Sequence, residues 1–154
     1  MGSPEPVAAS AESDLDALAI PFDVKLAGGV MALGGAFFVV TGLQALGLTM
    51  RGLLNAVGPL AIAVGVSNVV VGAGVARARF GAARVGVVLA GATSLLALSW
   101  AGFALMNGVL SLIAVSVIPI SGLAALLVFM ALKSVKKIDG ARERLRSQGL
   151  DGGF

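Results

Sequence analysis

The chain has no cysteine and no histidine. Without thiols there is no disulfide framework and no dithiol relay of the kind that membrane thiol oxidoreductases use. Without imidazole there is no haem axial pair of that type and no histidine general base. Charge is missing over long intervals: positions 26–50, 52–76 and 85–132 hold no Asp, Glu, Lys or Arg. A soluble segment of 25 residues would ordinarily hold roughly six such groups. With no carboxylate in any of these intervals, the intramembrane acid of proton-coupled exporters is excluded, including the small multidrug resistance type that shares this size. No Ser–His or paired-Asp arrangement exists there for intramembrane proteolysis. Asp139 and Glu143 stand alone near the C terminus, too few for the acidic metal cluster of a lipid phosphotransferase. The sequence therefore predicts no catalytic residues, no cofactor, no metal and no enzyme activity.

What fills the intervals is apolar. Of the 154 residues, 58% are hydrophobic, and the mean hydropathy is +1.01. A charge at the centre of a bilayer costs about 2.5–3.5 kcal/mol on the insertion scale, so charge-free runs of this length read as membrane spans. The third run, at ~1.5 Å per residue, would be about 72 Å long as a single helix, against a hydrocarbon core of about 30 Å. It must fold back, and Asn107-Gly108 is the best turn signal inside it. The prediction is an all-α membrane protein, a four-transmembrane-helix bundle over 23–132, with helices near 25–49, 53–76, 83–106 and 109–132. Buried helices of a soluble protein do not account for the pattern, because no amphipathic helices are available to shield four such segments. Open sheets fail because lipid-facing backbone must be satisfied internally.

The flanks give the orientation. Residues 1–22 are rich in Ala, Ser, Pro and acidic side chains (Glu5, Glu12, Asp14, Asp16) and read as a disordered acidic arm. Ser13 with Asp16 resembles a capping box for a short helix ending before Pro21, and Asp23 is placed to cap the first span. The arm lacks a basic start and an apolar stretch, so no cleavable signal peptide is expected, and Pro6 stands where a myristoylation motif wants Ser or Thr. Placing both termini in the cytoplasm puts ten of the eleven basic residues inside, and only Arg51 outside. The net charge of +3 follows from this bias and carries no implication of nucleic acid. Seven Arg against four Lys, with abundant Ala and Gly, suggests a bacterial inner membrane. The tail 133–154 is basic. Lys133, Lys136 and Lys137, with Arg77, Arg79 and Arg84 of the second connection, are candidate contacts for anionic lipid.

Within the spans, glycine is the conspicuous residue, 22 in all. Gly28, Gly35 and Gly42 lie seven apart, and so do Gly58, Gly65 and Gly72. Seven residues return to nearly the same helix face, drifting only ~20°, and small residues there let helix backbones approach closely in lipid. The two stripes predict tight packing, either of helices 1 and 2 on each other or across a subunit boundary.

Three other positions stand out. Asn68 in helix 2 and Gln44 in helix 1 read as interhelical hydrogen-bonding groups or as the lining of a pathway. Pro119 in helix 4 reads as a static kink or as a gate. Two functions then remain. The first is a non-catalytic membrane subunit or assembly partner that associates through its glycine faces, as a homo-oligomer or with another membrane protein. The second is a small oligomeric pore or carrier for a neutral or lipid-like substrate.

Overall fold

In a computed structural model, residues 18–47, 57–106 and 112–149 are described. They form four helices: α1 (Phe22–Gly47), α2 (Val57–Ala76), α3 (Phe80–Met106) and α4 (Leu112–Ser147). All four are long and apolar enough to cross a membrane. Their outward surface is apolar: Val88 is 73% exposed, Leu95 67% and Met130 65%. Water would make such a surface unfavourable over this area, whereas lipid tails solvate it. The chain is therefore an integral membrane protein by the chemistry of both its interior and its exterior. The acidic arm as far as Ala17, Arg51 and the predicted turn at Asn107-Gly108 lie outside the described residues.

The helices follow one another around a ring, each packing on its sequence neighbours, with α4 closing against α1. Small residues set the spacing. Gly34 of α1 faces Ile120 of α4, and Gly86 of α3 faces Val128 of α4 and Val71 and Val75 of α2. The main core cluster joins Val24, Ala27 and Met31 of α1, Val75 of α2, Ala83 and Ala90 of α3, and Ala124, Val128 and Ala131 of α4. A second, smaller cluster of Phe38, Ala61 and Ala97 fills the other end of the bundle.

The helix boundaries differ from the sequence expectation most at α4. The charge-free part, Leu112–Leu132, is enough for one crossing, yet the helix runs on to Ser147 as one piece of 36 residues. At ~1.5 Å per residue it is about 54 Å long, well beyond a ~30 Å hydrocarbon core. The extension holds because its buried stripe does not stop at the membrane. Ser121, Ala124, Val128, Ala131, Val135, Ile138, Ala141 and Leu145 are all buried, at alternating three- and four-residue spacing apart from one three-residue step at Ala141. Gly149, at φ 77°, then ends the helix, in the left-handed conformation that favours glycine. At the other end of the chain, α1 begins at Phe22, two residues earlier than a cap at Asp23 would place it. Asp23 instead sits in the first turn, where its charge favours the helix dipole.

Candidate functional site

The two glycine stripes meet each other inside one chain. Gly28 faces Gly72, Gly35 faces Gly65 and Gly42 faces Gly58. One series rises while the other falls, so α1 and α2 run antiparallel along the whole seam. A methyl group placed on Gly35 would lie 2.5 Å from the Gly65 carbonyl oxygen, and one on Gly65 would lie 2.6 Å from the Gly35 carbonyl oxygen. The end pairs are reciprocal in the same way, with Gly72 at 2.7 Å from the Gly28 oxygen and Gly42 at 2.8 Å from the Gly58 oxygen. Each helix thus presents bare backbone to the backbone of its neighbour. Weak Cα–H···O contacts recur at helix interfaces of this kind, at about 0.5–1 kcal/mol each. All six glycines are buried, and none of them faces outward to meet another molecule.

At the level of the central pair the seam carries a polar tie. The Asn68 Cβ lies 2.9 Å from where a Gly35 Cβ would stand, and the Asn68 amide turns toward α3. Its Nδ2 donates to Thr93 Oγ1 at 2.9 Å and to the Val64 carbonyl at 2.9 Å. The Thr93 hydroxyl in turn donates to the Leu89 carbonyl at 2.7 Å. Both side chains are buried, and both donors of the amide are in use. A double-mutant cycle on Asn68→Ala and Thr93→Ala, followed by unfolding in detergent, is expected to give a coupling energy near 0.6 kcal/mol and no more than about 1.7, the range for interhelical hydrogen bonds in membranes. A coupling of zero would mean the bond is not formed in the membrane.

Gln44 and Pro119 are not gathered with Asn68. Both are exposed on the outside of the ring, while Asn68 is inside it. α4 continues unbroken through Pro119, and the buried Ser121 hydroxyl donates to the Ile118 carbonyl at 3.1 Å. Four other hydroxyls are used locally. Thr41, Ser67, Ser94 and Ser99 each donate to the carbonyl four residues back in their own helix. Among the described residues no group of three or more acidic side chains is placed to hold a metal ion.

The basic residues collect at one end. Arg77, Arg79, Arg84, Lys133, Lys136 and Lys137 are all exposed, and the Arg84 guanidinium lies 4.5 Å from the centroid of the Phe80 ring. They are brought together by a residue that sequence reasoning passed over, Arg142. One of its terminal nitrogens donates to the Ala78 carbonyl at 3.0 Å, and the other to the Arg77 carbonyl at 3.2 Å. These carbonyls belong to the turn between α2 and α3. There Arg79 N–H reaches the Gly74 oxygen and Ala78 N–H the Val75 oxygen, the two bonds of a Schellman motif. Ala78 holds φ 52° at the left-handed position that usually takes glycine, at a cost of about 1–2 kcal/mol. Its fully buried methyl and the Arg142 fork hold it there.

No protein family, curated protein or solved structure matches this chain.

Proposed function

We propose that this chain is a non-catalytic, multi-pass subunit or assembly partner of a bacterial inner membrane, with both termini in the cytoplasm. The observation that carries the reading is that the two glycine stripes and the Asn68 amide are absorbed in holding its own helices together. The glycine seam closes α1 on α2, and the Asn68 amide ties α2 to α3. Partner contact therefore falls to the outer faces of the ring and to the basic end rather than to the glycine stripes. At that end the exposed Arg and Lys side chains suit the anionic headgroups of the inner leaflet, each contributing about 1 kcal/mol near the surface. The pore or carrier reading is the weaker one. Its three residues do not line a common path, since Gln44 and Pro119 face outward and the Asn68 donors are taken.

The test is the native mass of the complex extracted in mild detergent, paired with solute flux through purified protein in liposomes. A stable complex of fixed stoichiometry with an unrelated membrane protein, together with flux no higher than in empty liposomes, is the expected result. A homo-oligomer that conducts a neutral solute, with flux lost in Asn68→Leu, would reverse the order of the two readings. Orientation is checked by thiol labelling, which the cysteine-free chain makes clean: Arg79→Cys and Lys137→Cys should react only from the cytoplasmic side.

A further inference from the structure

The two apolar clusters of the core share no residue. Met31, Ala90 and Ala124 lie on one side of the break between them, and Phe38, Ala97 and Ile118 on the other. The three polar side chains buried among the described residues fall at this break: Asn68 of α2, Thr93 of α3 and Ser121 of α4. Register puts Thr93 and Ser121 at one level. Gly86 faces Val128 across the antiparallel α3 and α4. Thr93 comes seven residues after Gly86 and Ser121 seven before Val128, and seven residues return to nearly the same face. The Asn68 amide joins that level through its bond to Thr93. α1 passes it with Gly34 and Gly35, which bring no side chain.

Every polar hydrogen of this group is already committed. The amide donates to Thr93 Oγ1 and to the Val64 carbonyl, the Thr93 hydroxyl to the Leu89 carbonyl and the Ser121 hydroxyl to the Ile118 carbonyl. Only acceptors are left over, and acceptors cannot bond one another. Asn68 Oδ1 accepts no hydrogen bond among the described residues. Turning the amide over would set that oxygen against the Val64 carbonyl, so its orientation is fixed. Nor is the oxygen sealed. Among the described residues, Arg142 Nε is the one side-chain nitrogen or oxygen buried without a partner, so Asn68 Oδ1 has room beside it for a donor. A cation does not suit the place, because positions 26–50, 52–76 and 85–132 hold no carboxylate to balance it. A water does: it brings two hydrogens, and buried waters take about two to four polar partners. We propose that one water sits in this layer, donates to Asn68 Oδ1 and to Ser121 Oγ, and so ties α4 to the α2–α3 pair inside the membrane.

The test is a crystal structure of the full chain grown from lipid, at a resolution that shows ordered water, together with a double-mutant cycle on Asn68→Leu and Ser121→Ala. Density for a water within hydrogen-bonding distance of both Asn68 Oδ1 and Ser121 Oγ is expected. Asn68 and Ser121 are not bonded to each other, so without a bridge their substitutions should act independently. With the water between them, their effects on the unfolding equilibrium constant in detergent should depart from additivity by about threefold, the size of one interhelical hydrogen bond in a membrane. Asn68→Leu combined with Ser99→Ala, which removes an exposed hydroxyl bonded within its own helix, should be additive. No density between the two oxygens, a direct bond from the Ser121 hydroxyl to Asn68 or Thr93, a lipid or detergent group in place of the water, or an additive Asn68–Ser121 pair would each overturn the proposal. The density is read on the unsubstituted chain, so it decides the matter even where a variant does not fold.

Discussion

Gly35→Ala is expected to destabilise the folded protein by about 3 kcal/mol or more, while Gly29→Ala, six residues away on the same helix, is expected to be neutral or stabilising by up to about 1 kcal/mol. The same methyl is added in both cases, to the same helix. At Gly29 it meets nothing within 4 Å, so only the helix propensity of alanine counts. At Gly35 it meets the Gly65 carbonyl oxygen at 2.5 Å and the Val69 nitrogen at 2.9 Å. These are backbone atoms, which no rotamer change can move aside. The helices must separate along the seam, and because the three glycine pairs share one interface, opening the middle one strains the contacts at both ends. Gly65→Ala should behave like Gly35→Ala, for the reciprocal reason. Reversible unfolding in mixed detergent micelles measures the difference; equal stability of Gly35→Ala and Gly29→Ala would show that the helices do not approach this closely.

The second large effect is expected at Arg142. Replacing it with Met keeps most of the stem's packing and removes the guanidinium, together with its bonds to the Arg77 and Ala78 carbonyls. Hydrogen bonds to charged groups are worth about 1.5–3 kcal/mol when well shielded. Here the bond to Ala78 is partly buried and the one to Arg77 is exposed. The Nε is buried without a partner, a cost that the substitution relieves. A net loss of about 2 kcal/mol is the expected outcome for Arg142→Met. Arg142→Lys should recover only part of it, since an ammonium cannot fork to two carbonyls. Arg146→Met, on an exposed position of the same helix, should change stability by less than about 0.5 kcal/mol. Similar losses at 142 and 146 would mean that the basic tail acts through its net charge and not through this strap.

The membrane character of the chain and the number of its helices were legible because they rest on one dominant cost, that of charge in hydrocarbon. The glycine faces of α1 and α2 were legible too, since a seven-residue repeat marks a face. The partner of each face was not, because a stripe looks the same whether a neighbour in the chain or another molecule lies against it. Thr93 was overlooked although it carries a usable signal. Ala83, Gly86, Ala90, Thr93 and Ala97 repeat at three and four residues and are all buried, a small-residue face on α3 like those on the first two helices. Arg142 was hidden among six basic residues of the tail. What sets it apart is position, seven residues after Val135 and four after Ile138, beside the apolar stripe and not on the solvated face. The unbroken run of α4 to Ser147 was obscured for a related reason. Charge appears at Lys133, where the membrane ends, while the buried spacing that sustains the helix continues underneath it.

The most direct measurement asks whether the glycine seam is closed within one chain. Position 39 stands beside Gly65, and position 62 beside Gly42. Val39→Cys on α1 and Ile62→Cys on α2 therefore both lie on the seam between the Gly35–Gly65 and Gly42–Gly58 contacts, in a chain otherwise free of cysteine. Oxidised in native membranes, the two thiols are expected to form a disulfide within the monomer when both are on one chain. When the two substitutions are split between differently tagged, co-expressed chains, no disulfide should join them. A disulfide linking the split chains would place the seam between subunits and contradict the account.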